Sequence, residues 1–417
     1  MNDYLKKILI LSILLLGLIY PQQFLMKDYH ANDCTDMSID GLEGIIGVMV
    51  EFDKEIPDDL RTSGDGQFIT IDPSIDDSGC KDAEYCEDLS EEACDSLNHC
   101  EWNDDNSVCE DVEYPEHCED LGEEACESLN HCEWHTDDIY PSFINYDDLS
   151  RCSKTLLETP PHNSEYFESQ LKAVINYYQT ISHNQILSDN QTRYKMINEV
   201  YTAEKKMEYY AQSENRLTEL YAETILQASN EIITAAEDEG WGNNEFIVVV
   251  FHAGLGQDLG SPGFDPTIYD IHSAYIDSNM MLSCPAIEGS SITITNNSTD
   301  VEITRTISNG ILLPETLNPI YYDVIEDMYS TAFADKDDLE DAYCYYQTGM
   351  TGLFAYFLGY RLCMPPMHSI DNIYPVIRIG RFGLMDVGAY NRHGIIPAPP
   401  NIWTRTKHDQ LFSEKVI

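Results

Sequence analysis

Thiols, imidazoles and carboxylates are the groups in this chain whose spacing could support chemistry. Nine of the thirteen cysteines are Cys80, Cys86, Cys94, Cys100, Cys109, Cys118, Cys126, Cys132 and Cys152. Cys86, Cys94 and Cys100 recur as Cys118, Cys126 and Cys132 with a period of 32. The surrounding text repeats as well: CEDLSEEACDSLNHCEW and CEDLGEEACESLNHCEW differ at two of seventeen positions. This is a duplicated module. Cysteines at this density belong to an oxidising compartment, where they pair. The first copy closes with Cys109, while the second has no equivalent cysteine before Cys152, so Cys80 and Cys152 are expected as outer partners. The remaining connectivity is open. His99 and His131, each beside a cysteine, have the look of zinc ligands, but an oxidised cysteine cannot ligate.

Histidines elsewhere are sparse. His252 ends an apolar run and leads into Gly254-Leu255-Gly256-Gln257-Asp258, read as a loop rich enough in oxygen for calcium but not as a phosphate cradle, since its acid repels phosphate. His368 and His393 are weak metal candidates, because isolated loop histidines are more often surface residues, and His272 is weaker still. No Gly-x-Ser-x-Gly elbow, no phosphate loop and no GxGxxG after a strand occurs.

The elements that must position these groups follow from periodicity. Gly44 to Phe52 reads as a buried strand, Phe68 to Ile71 as a second short one, and Phe246 to Phe251 (FIVVVF) as a central strand. Phe167, Leu171, Val174, Ile175 and Tyr178 share one helix face behind a cap at Asn163 or Ser164. A second helix is expected over Ser213 to Glu237, stopped by Gly240, and another over Thr351 to Leu362, ended by Pro365-Pro366. Residues 291–296 and 301–306 read as a hairpin, and Asn318-Pro319 as the opening of a helix to about Tyr329.

Composition narrows the partners. Asp and Glu number 74 against 23 Lys and Arg, a formal charge of -51, which excludes nucleic acid and anionic membrane surfaces. A 43% apolar content excludes a disordered acidic chain. Much of the charge is local: residues 86–138 contain twenty Asp or Glu and no Lys or Arg. Each module has too little apolar surface to fold without its disulfides. The insert reads first as a solvated, disulfide-tied appendage, and second as a weak calcium- or partner-binding one through Asp104 and Asp105. Lys6-Lys7, the uncharged run Ile8 to Tyr20 and Pro21-Gln22-Gln23 read as a cleaved secretory signal over residues 1–22, too short for a permanent span. The protein is therefore expected outside the cell, in the periplasm or on the cell surface, with no stable membrane span after cleavage.

The last hundred residues carry a more specific pattern. Thr351-Gly352-Leu353-Phe354-Ala355, a helix, a Met-Pro-Pro turn and then Gly380-Arg381-Phe382-Gly383-Leu384-Met385-Asp386 resemble the catalytic segment of the immune inhibitor A-type secreted metallopeptidases. Upstream, Phe251-His252-Ala253-Gly254 and Pro161-His162-Asn163 resemble that family's His-Ala-Gly strand and entry segment, and Pro397 to Trp403 its stretch after the Met-turn. The resemblance implies a metzincin-like mixed sheet with long helices and a Met-turn at Met385. It divides the chain into residues 40–79 and 153–404 as the peptidase-like domain, residues 80–152 as the insert and residues 405–417 as an irregular tail.

It also implies a zinc helix HExxHxxGxxD, and here the sequence departs from it. The two His positions hold Tyr356 and Tyr360, the Glu position Phe357, the helix-ending Gly Cys363 and the third-ligand Asp Pro366. A zinc hydrolase needs ligands that deprotonate and a carboxylate base, and neither phenylalanine nor proline serves. Met385 is then a packing residue and Asp386 a pin for the following loop. The expectation is a pseudoenzyme that binds a peptide or an extracellular protein in an aromatic cleft. The alternative is a metalloendopeptidase with rearranged ligands, which would bind zinc.

Overall fold

Gly44–Glu51 (GIIGVMVE) is apolar without alternation, as in a strand covered on both faces, and it forms β1, buried along nearly its whole length. The computed structural model describes residues 41–55, 61–70, 157–188, 191–259, 267–296, 302–318, 348–367 and 379–407, together with the backbone of four short strands. Those four are β2 (Gly79–Asp82), β3 (Cys100–Asn103), β4 (Val108–Asp111) and β5 (Cys132–His135). There follow α1 (Ser164–Ser182), β6 (Tyr194–Thr202), α2 (Met207–Ala211), α3 (Glu214–Gln227), α4 (Ser229–Glu239) and β7 (Phe246–Leu255). Then come β8 (Ala274–Ile276), α5 (Ser278–Ser283), β9 (Ile292–Asn296), β10 (Ile303–Ile307), β11 (Gly310–Thr316), α6 (Thr351–Arg361) and α7 (Ile402–Lys407). The expected signal, the helix after Asn318, and His368 lie outside the described residues. Among the described residues no helix is long and apolar enough to cross a membrane.

The chain divides into two units, Met1–Ile71 with Asp147–Ile417, and Asp72–Tyr146. The first is a mixed α/β unit built on a five-stranded sheet of order β6-β1-β7-β11-β8. Its pairings are parallel except that of β8 with β11. β7 is central and buried at all ten residues, as its β-branched run requires. Phe167 of α1 and Phe354 of α6 both pack on Phe251 of β7, the second edge-on, with centroids 4.6 and 6.1 Å from it, so α1 and α6 cover one face. On the opposite face the Tyr221 hydroxyl of α3 reaches the Val248 carbonyl at 3.3 Å, filling the space that a side chain at Gly310 would occupy. Hairpin β9–β10 forms a separate two-stranded sheet.

Three expectations are corrected. Phe68 to Thr70 is not a strand, because its polar groups bond elsewhere: Ile69 N donates to Glu315 Oε1 (2.8 Å) and His162 N donates to Ile69 O (2.6 Å). The helix from Ser213 is two helices. The first ends at Ala228, and the Ser229 hydroxyl bonds back to the Ile225 and Leu226 carbonyls where the axis breaks. Gly254-Leu255-Gly256 is not a loop, since β7 runs through Leu255 and Gly256 bridges to Ile271. β6, β8 and β11 were not expected. β6 is a largely exposed edge strand with a polar sequence, and β11 carries Pro314, which hid it. That proline lies beyond the ladder with β8 and at a register shift against β7, where its missing N–H is tolerated.

Candidate functional site

The site expected from the sequence lies on α6. The helix is apolar all round (TGLFAYFLGYR), the pattern of a buried helix, and every residue from Gly352 to Arg361 is buried. It closes with a reciprocal cap: Cys363 N donates to Tyr360 O and Met364 N to Gly359 O, both at 2.8 Å. Cys363 takes the left-handed conformation (φ 58) that such a cap demands, one that glycine adopts most readily.

Tyr356 and Tyr360, one turn apart on one face, are each 1% exposed and hydrogen-bond hydroxyl to hydroxyl at 2.6 Å. Tyr275 of β8 stacks on Tyr360 with centroids 5.8 Å apart. Phe357 is fully buried and packs edge-on to Tyr356. Burial pushes the Tyr356 phenol well above its ordinary value; the Tyr360 hydrogen bond opposes this and the Asp386 charge adds to it. Tyr356 therefore offers no phenolate near neutral pH. Two tyrosines, a phenylalanine and a half-buried proline at 366 do not fit a catalytic zinc, which needs anionic or imidazole donors and a carboxylate beside them.

The turn at Met385 packs against the helix. Met385 is buried, and its sulfur lies so close to α6 that a Cβ on Gly359 would come within 2.6 Å of it. Met367 N donates to Met385 O at 2.7 Å. Asp386 Oδ2 accepts from Ile379 N (2.8 Å) and Gly380 N (2.9 Å), and its Oδ1 accepts from Val387 N (2.8 Å), so the carboxylate ties residues 379–380 to residue 387.

At the end of β7, His252 is fully buried and its Nδ1 lies 2.8 Å from the Ala253 carbonyl. Burial drives its pKa down to about 4, so it is neutral at pH 7. Gly254 (φ 90) donates its N–H to Glu315 Oε2 at 3.0 Å, and a Cβ there would strike Met207. Gly256 N donates to Thr316 O at 3.1 Å. The Asp258 carboxylate is taken up by Ser273, whose hydroxyl donates to Oδ2 at 2.7 Å. Burial raises its pKa, with His272 and Ser273 pulling it down. His393 is exposed in a turn at φ 56. Among the described residues no group of three or more His, Cys, Asp or Glu is arranged to hold a metal.

Sequence reasoning missed a second cluster. His162 Nδ1 lies 2.7 Å from Glu315 Oε1 and its Nε2 lies 2.9 Å from the Glu158 carbonyl, with both side chains of the His162–Glu315 pair fully buried. The Glu158 carboxylate accepts from Gln170 Nε2 at 3.2 Å and from Met350 N, the residue that caps α6. Tyr166 donates to the Glu315 carbonyl at 3.1 Å and its ring lies against His162. The visible signal was an acid, Glu315, at the end of an otherwise apolar run. This knot ties the ends of β7 and β11 and the start of α6 to residues 157–162 and to Ile69, so it positions the site rather than forming part of it.

No protein-family model matches this chain, and neither the curated proteins nor the solved structures give a match.

Proposed function

We propose that this is an exported metallopeptidase-like protein with a degenerate zinc site, acting by binding or scaffolding rather than by hydrolysis. The immune inhibitor A-type resemblance, and with it the metzincin-like reading of the sheet, rests on the motif order in the sequence. The buried Met385 turn under Gly359 and the left-handed Cys363 at the helix end support it. One observation carries the functional reading: where the chemistry needs two imidazoles one turn apart, two buried phenols bond to each other at 2.6 Å. Neither binds zinc as a neutral phenol, and Phe357 takes no proton from water.

The ligand class proposed is a peptide or an extracellular protein, but the aromatic cleft expected for it on α6 is closed, since Tyr356 and Tyr360 are each 1% exposed; the acidic charge argues against nucleic acid. The test is metal analysis of purified protein alongside a casein-cleavage assay. Absence of bound zinc and of cleavage supports the reading. Stoichiometric zinc, with cleavage lost on chelation and on His368→Ala or His393→Ala, establishes the rearranged peptidase instead.

A further inference from the structure

The two small sheets of the second unit have the same register, pair for pair. In one, Cys100 is opposite Asp111, Glu101 opposite Glu110, Trp102 opposite Cys109 and Asn103 opposite Val108. In the other, Cys132 is opposite Asp82, Glu133 opposite Lys81, Trp134 opposite Cys80 and His135 opposite Gly79. β4 and β2 share the pattern x-Cys-x-Asp, yet β4 follows the first copy of the repeat whereas β2 precedes both copies.

We infer that the insert is a closed pair of modules joined by an exchanged strand, in which Cys80 is the counterpart of Cys109 and completes the cysteine set of the second module, with Cys152 outside it. Each Cys-x-Trp strand then has one x-Cys-x-Asp strand against it. The thiol count agrees. Residues 82–151 contain Cys86, Cys94, Cys100, Cys109, Cys118, Cys126 and Cys132, an odd number that cannot pair fully within itself. The eighth cysteine comes from one flank or the other. The register puts Cys80 in the second module, at the place Cys109 holds in the first.

Two-stranded pairs this short are marginal alone, and a bridge from Cys80 to the second copy closes a loop of several tens of residues, where cross-linking restricts the unfolded chain most. The chemistry is thiol–disulfide exchange: for each bridge two thiols give up two protons and two electrons to a disulfide oxidant such as glutathione disulfide, which leaves as two thiols. The register replaces the outer pair Cys80–Cys152 that the sequence alone points to.

The basic residues make the test simple. Trypsin can cut after Arg61, Lys81, Arg151 and Lys154 but nowhere within residues 82–150, which contain no Lys or Arg. The oxidised full-length protein is alkylated, digested without reduction and analysed by mass. The expected result is residues 62–81 joined to residues 82–151 until reductant is added, with the peptide 152–154 joined to neither. Linkage of 152–154 to either of the other two peptides overturns the inference. Since Lys81 precedes an acid and is cut slowly, two variants give a second readout. Cys80→Ser exposes one maleimide-reactive thiol within residues 82–151, and Cys152→Ser exposes none there. Should Cys80→Ser not fold, Cys152→Ser decides alone: a new thiol within residues 82–151 overturns the inference.

Discussion

At the scale of single residues, buried ionisable groups give the protein a pH signature. The Glu158 carboxyl is raised by burial from an ordinary 4.5 to about 7, against hydrogen bonds from Met350 and Gln170 and the His162 charge. Its contribution to stability is complete below about pH 4.5 and is lost as pH rises through about 7. His162 acts in the same direction: burial opposes its proton, but the Glu315 hydrogen bond and charge outweigh burial, so its pKa lies above 6.5. His252 acts oppositely. Its pKa is lowered from 6.5 to about 4, so its contribution is present above 6.5 and lost as pH falls through about 4. Tyr166 and Glu315 also face the cluster, and Tyr166 stays protonated throughout. Glu158→Gln is therefore expected to flatten the fall in melting temperature between pH 5 and pH 8 relative to the parent. Parallel curves for parent and variant would show that Glu158 is not the group that titrates. None of this was legible in the sequence, because Glu315 lies 153 residues beyond His162 in the chain and reaches it and Glu158 only when β11 is placed beside β7.

At the scale of elements, β7 and α6 were readable because composition decides them. FIVVVF is too β-branched and too apolar for any place but a central strand, and Thr351 to Leu362 has no polar face to expose. β6 and β11 were not readable, since one is a polar edge and the other holds a proline that only the sheet register makes acceptable. The contact between α6 and the Met385 turn gives a test of their packing. Gly359→Ala gains about 1 kcal/mol in helix propensity but places a methyl 2.6 Å from the Met385 sulfur, and overpacking of this kind costs about 1–3 kcal/mol. Net destabilisation by urea titration is expected. Combined with Met385→Ala, which alone costs about 2–5 kcal/mol, the pair should lose less than the sum of the singles. Additive losses, or a more stable Gly359→Ala, would remove the contact from the account.

At the scale of the whole molecule, the acidity of -51 is unevenly spread, with twenty acids and no Lys or Arg in residues 86–138. Within the second unit, β2 and β5 are antiparallel neighbours, with Gly79 opposite His135, so the entry and exit of the insert lie side by side. A segment whose ends meet can be spliced into a loop without dividing its host. Replacing residues 79–135 by a short Gly-Ser link should leave the thermal transition of the rest within a few degrees of the parent while removing much of the negative charge. A collapse of that transition would make the insert part of the folding unit. The repeat was legible from the text alone; its strand exchange was not, because pairing partners on either side of a duplication look alike until the register is known.

The central claim is that the tyrosine pair has replaced a zinc site, and metal content tests it most directly. Protein purified from zinc-supplemented culture and dialysed without chelator is expected to contain well under one tenth of an equivalent of zinc by elemental analysis. One equivalent per chain, removed by chelator together with casein cleavage, would contradict the account.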